Sequence, residues 1–265
     1  MRTQEHSVHP RPSIVVPLIT FLMVSSLVSP ILEFVQASCS LNSDALRLTQ
    51  FSTLFGAAVV LVGWRGRLPF PAITRSSVFV SAFVTTTAMI CVLAGIAVLD
   101  RLTDSRWVPI DVSALPMSTV VLGVVALGVG AGAEEIGWRG IVQPLLESRI
   151  GPVRAMIVTG AVFGLGHVYV LASGVAVYVL FVVAAMGLSI IFGALTTGLS
   201  LGHRTLVATV AHWVLNLGLI VFFSDGDTSE EWMLEMTIAV MAVSAVVLVL
   251  RLPSLRVVDQ WHSDG

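Results

Sequence analysis

The chain has 265 residues, of which 56% are hydrophobic and only 11% charged, with a mean hydropathy of +0.94. A soluble domain carries about a quarter charged residues, so this composition excludes a water-covered globule and defines an all-α, polytopic membrane protein whose first partner is the lipid bilayer. The formal net charge of -2 is near neutral and points to no nucleic-acid partner.

All 14 basic residues are arginine. The two cysteines, Cys39 and Cys91, are far apart in sequence and read as unpaired. A polar stretch, 1–13, precedes the first apolar run, 14–37. A cleaved signal has an apolar core of only about 7–15 residues, so the run reads as a span. A span needs about 20 apolar residues. On that rule about eight helices follow, at 14–37, 48–64, 78–99, 117–143, 155–171, 175–199, 205–223 and 236–252. They form one membrane-embedded domain, 14–252, with a motif core at 117–223 and polar tails at 1–13 and 253–265.

Arginine placement sets the orientation. Arg2, Arg11, Arg65, Arg67, Arg75, Arg149, Arg154, Arg204, Arg251 and Arg256 fall on one side of this topology, and Arg47, Arg101 and Arg106 on the other. The richer side is cytoplasmic by this rule, which puts both termini inside and the protein in the cell membrane. Gly128 and Gly132 are four apart, as are Gly160 and Gly164, a spacing that lets membrane helices approach closely.

Few ionisable groups fall within the spans. Glu33 sits near one end of the first. The others are Glu134, Glu135, Arg139, His167 and His212, accompanied by the amide of Asn216. Charges at such depth cost about 2.5–3.5 kcal/mol each on insertion scales. At about 1.5 Å rise per residue, Glu134, His167 and His212 stand at a similar depth in the cytoplasmic half of three different helices. Glu135 and Arg139 are four apart on one helix face and can pair, which leaves Glu134, turned about 100° away, free for another task. His212 and Asn216 share a face as well. Two donors side by side suit the oxyanion formed when water attacks an amide. A purely structural polar network is the plain alternative for the same residues.

The ordered set Glu134-Glu135-x-x-x-Arg139, Phe163-x-x-x-His167 and His212-x-x-x-Asn216 resembles the CPBP family of intramembrane proteases. That family includes the CAAX prenyl endopeptidases and bacteriocin-processing or immunity-associated, Abi-like proteins. The resemblance covers roughly 117–223 and implies hydrolysis of a peptide bond inside a membrane-embedded cavity, on a peptide or membrane-protein substrate. Carried over, Glu134 would be the general base that activates water and His167 would hold or polarise that water. His212 and Asn216 would stabilise the oxyanion, Glu135 and Arg139 would support the site, and Phe163 would pack on its wall. An apolar cavity favours the neutral form of a carboxylic acid, so a carboxylate there is a ready proton acceptor.

Metal is left open at this stage. There is no His-Glu-x-x-His, and no cysteine lies near the motifs. Glu134, His167 and His212 form a conceivable zinc set, while metal-free glutamate catalysis is slightly favoured. A serine design would want a Gly-x-Ser-Gly loop, which is absent, and an aspartyl design would want two aspartates within spans. Two other classes of function stand beside the protease: a proton-coupled transporter, since intramembrane Glu, His and Arg also mark proton paths, and a non-catalytic immunity or scaffold protein.

Overall fold

The computed structural model describes residues 13–39, 47–64, 66, 68, 77–103, 115–223 and 229–263, with side chains to residue 256. Within these residues the chain is helical, with no strand. In chain order the elements are α1 (Val15–Ser38), a 3-10 turn (Leu48–Phe51) leading into α2 (Ser52–Trp64), α3 (Val78–Thr103) and α4 (Met117–Gly137). A π-helical turn (Trp138–Val142) joins α4 to α5 (Gln143–Ile150). Then come α6 (Pro152–Gly166), a second 3-10 stretch (Val168–Ser173), α7 (Val175–Thr196), α8 (Leu201–Phe223) and α9 (Glu230–Ser263). Residues 1–12 of the expected polar tail 1–13, and Arg2, Arg11, Arg65, Arg67, Arg75 and Arg106, lie outside the described residues.

Six of these helical segments are long and apolar enough to cross a membrane: Val15–Ser38, Val78–Thr103, Met117–Ile150, Val175–Thr196, Leu201–Phe223 and Glu230–Arg256. These are the lengths and compositions of an integral membrane protein. The other two expected spans are shorter helices, Leu48–Trp64 and Pro152–Gly166. At about 1.5 Å per residue, 15 residues reach only about 22 Å, short of a hydrocarbon core of about 30 Å.

Several expected boundaries differ. The fifth expected helix, α6, ends at Gly166 rather than running to residue 171, because Gly164 and Gly166 weaken its last turn and the His167 side chain closes it. His167 Nδ1 donates to the Phe163 carbonyl at 2.8 Å, an oxygen the helix end would otherwise leave without a donor. The fourth helix does not stop at residue 143 but continues through the π turn to Ile150. There Gly151, at φ 75°, and Pro152 at the first position of α6 redirect the chain. The last helix starts at Glu230, earlier than expected, and carries Pro253 inside it on its way to Ser263.

The largest apolar cluster joins α3, α6, α7, α8 and α9, and includes Met89, Met156, Ile191, Leu215 and Val240. A second joins α1, α2 and the π turn with α5, through Phe21, Val60, Trp138 and Leu145. Glycines set the separations. A Cβ on Gly160 would lie 2.5 Å from the Met186 Cα, and one on Gly164 2.8 Å from the Val182 Cα, so α6 and α7 touch backbone to backbone. On α4, Gly128 lies under the indole of Trp213 and Gly132 faces Thr209. Trp213 Nε1 also donates to the Val124 carbonyl at 2.8 Å. These contacts hold α4 against α8 along the line on which the ionisable residues meet.

Candidate active site

Glu134 and Glu135 occupy the last turn of α4, and Arg139 lies within the π turn that follows. A π turn adds a residue to the helical repeat and is common at functional sites. All three side chains are buried, Glu135 completely and the other two with 6% and 4% of their surface exposed. Arg139 clasps Glu135 through Nε, 3.2 Å from Oε2, and Nη1, 3.3 Å from Oε1. Its guanidinium carbon also sits 5.0 Å over the ring of Phe192 from α7, a favourable place for a buried cation.

His212 reaches the same point from α8. Its Nδ1 lies 2.9 Å from Glu135 Oε1, and its Nε2 lies 3.8 Å from Glu134 Oε2. The Glu135 contact fixes the ring: Nδ1–H donates to the carboxylate, which turns Nε2 toward Glu134. A gap of 3.8 Å is too long for a direct hydrogen bond and is the kind of separation a bridging water can span. Two carboxylates, one arginine and one histidine thus share a small buried volume. With both carboxylates ionised, the cluster is electrically neutral only when His212 carries a second proton.

The other candidates are placed as follows. His167 caps α6 and is half-buried; it lies within electrostatic range of His212. With Nδ1–H donated to Phe163, its Nε2 is an acceptor. Its ring packs 4.4 Å from Phe163 and 5.1 Å from Phe181, centroid to centroid. Phe163 stands between His167 and Trp138, whose ring is 5.5 Å away, and Phe21 of α1 packs on the far side of Trp138 at 5.4 Å. Asn216 lies one turn beyond His212 on α8, half-buried, and its side chain makes no hydrogen bond to a described residue. Among the described residues, no three His, Cys, Asp or Glu side chains gather closely enough to hold a metal ion. Glu134, His167 and His212 do not form such a group as they stand here, and no step below runs through a metal.

Sequence reasoning missed two groups. The first is the turn ahead of α2, where the Gln50 amide lies against Gly130, one turn before Glu134, and Arg47 lies 4.5 Å over the ring of Tyr169, next to His167. No motif marks them, and they lie about 85 residues before Glu134 in the chain. The second is a buried ion pair between α5 and α8. Arg204, counted above as a flanking cytoplasmic charge, is 2% exposed and holds Glu147 through two contacts of 2.7 and 2.5 Å. Gln143 donates to the same Glu147 carboxylate at 2.8 Å. The four-residue spacing of Gln143 and Glu147 was a signal available in the sequence.

In a helical chain with the spans of a membrane protein, two carboxylates, an arginine and a histidine thus meet at a buried junction of α4 and α8. Residues 116–218, less than half of the chain, match the family model described as "Type II CAAX prenyl endopeptidase Rce1-like". That segment is an Rce1-like (CPBP) family domain, and it contains every motif residue named above. No curated protein matches the chain.

Proposed function

We propose that the chain is an intramembrane endopeptidase that uses Glu134 to activate water. The observation that carries this reading is the placement of His212 between the two carboxylates, bonded to Glu135 and facing Glu134 across 3.8 Å. Glu134 takes a proton from a water molecule, and the resulting hydroxide adds to the scissile carbonyl carbon. The oxyanion is met by the Nε2–H of protonated His212 and by the Asn216 amide. Collapse of the intermediate breaks the C–N bond, and Glu134 returns its proton to the leaving nitrogen. Glu135 and Arg139 do not touch substrate. They fix the tautomer and direction of His212 and balance its charge. His167, with an acceptor Nε2, orients the attacking water, and Phe163 and Trp138 wall that side.

The substrate class named by the family is a protein with a prenylated CAAX carboxyl terminus, and we extend it to this chain. A small hydrophobic peptide, such as a bacteriocin precursor, is the alternative substrate. The eight expected helices together form the membrane domain, with both termini cytoplasmic as the arginine distribution supports. The test is a comparison of membrane peptides from cells carrying the wild type or Glu134→Ala. The reading expects a carboxyl-terminal trimming product that only the wild type makes. Identical peptide profiles, together with uptake driven by a proton gradient in vesicles, would replace it with the transporter.

A further inference from the structure

Outside the motif set, the Gln50 side chain stands beside the turn of α4 that leads to Glu134, and several contacts fix where it stands. The turn that bears it is tied to α1 by the Leu48 amide, which donates to Gln36 Oε1 at 2.8 Å. It is tied to α4 by the Thr53 hydroxyl, 3.0 Å from the carbonyl of Ala133, the residue before Glu134. The same hydroxyl is 3.1 Å from the Gln50 carbonyl. Space is left for the amide on α4 itself: a Cβ on Gly130, one turn before Glu134, would collide with Gln50 Oε1. With that oxygen against Gly130, the NH2 end is the one presented to the carboxylate, which can only accept.

We propose that Gln50 is the positioning residue that aims the Glu134 carboxylate, so that α1 and α2 complete the catalytic unit although they lie outside the family-matched segment. The inference rests on the role given to Glu134 above. A lone carboxylate at the end of α4 has rotamer freedom, and a general base works only within hydrogen-bond reach of the proton it removes. Gln50 restricts that freedom, and the closeness of Gly130 keeps the amide from swinging away. Two substitutions on different helices then have the same effect. Gln50→Leu removes the donor, and Gly130→Ala displaces it without touching Glu134 or the turn.

The experiment uses the full chain in lipid nanodiscs with two probes. One is a farnesylated CAAX peptide bearing a quenched fluorophore. The other is a hydrophobic carbodiimide, which modifies protonated carboxyl groups and is read at Glu134 by peptide mass spectrometry. Both variants should lower kcat about tenfold, the worth of one hydrogen bond to a charged group, with KM within about twofold and an altered pH profile of kcat. Both should also raise carbodiimide labelling of Glu134 several-fold, since losing the donor favours the protonated acid. Melting temperatures near wild type separate this from misfolding, and if Gln50→Leu does not fold, Gly130→Ala decides. Wild-type kcat and wild-type labelling in the folded variants overturn the proposal. If the peptide is cut equally by wild type and Glu134→Gln, or by neither, the protease reading fails, while the labelling still decides whether Gln50 governs Glu134.

Discussion

Replacing Glu147 by Ala is the sharpest test of how the bundle holds α8 in register. Arg204 is 2% exposed and its guanidinium is gripped by both Glu147 oxygens at 2.7 and 2.5 Å. Removing the carboxylate leaves a cation buried without its anion, which costs about 3–5 kcal/mol. For a chain of this size each kcal/mol moves the melting temperature by about 2–4 °C, so a fall of roughly 6–20 °C is expected. The assay is intrinsic-fluorescence melting of the detergent-purified protein. A second variant, Glu147→Leu with Arg204→Met, should recover more than half of the loss, because an apolar pair of similar volume removes the stranded charge. Melting of the single variant within 1 °C of wild type would refute a closed pair. Failure of the double variant to recover stability would mean that packing, not charge, sets the cost.

Other consequences follow from the same contacts. Gly160→Ala pushes α6 off α7, since its new methyl meets the Met186 Cα at 2.5 Å; a loss of about 1–3 kcal/mol should appear as a lower melting temperature. Trp213→Phe keeps the ring against Gly128 but gives up the 2.8 Å hydrogen bond to the Val124 carbonyl, and should cost about 1 kcal/mol. Glu135→Gln should lower kcat by about 10²-fold or more and, because buried Arg139 loses its anion, lower the melting temperature as well. The neutral amide no longer balances protonated His212, and KM should be nearly unchanged.

The membrane character was legible because composition and apolar run length report it directly. Pairing within a helix was also legible: the four-residue spacing of Glu135 and Arg139 becomes an ion pair in the structure. Helix length was less so. The α6 end at Gly166 is invisible to hydropathy, because Val168-Tyr169-Val170-Leu171 continue the apolar run after the helix has stopped. Spacing within one helix says nothing about its partner across the bundle. Arg204 therefore looked like a flanking charge, although Glu147, 57 residues away, buries it. Gln50 was hidden for the same reason, since an amide in a short turn carries no pattern until the fold brings it to Glu134.

The central claim is that the Glu134 carboxylate removes the proton from water, and one measurement bears on it most directly. Purified wild type and Glu134→Gln, reconstituted in nanodiscs and matched for melting temperature, are incubated with the farnesylated CAAX peptide in water enriched in oxygen-18. Mass spectrometry of the products should find one heavy oxygen at the new carboxyl terminus with the wild type, and no product above background with the variant. A variant that releases the same labelled product at the wild-type rate would contradict the account.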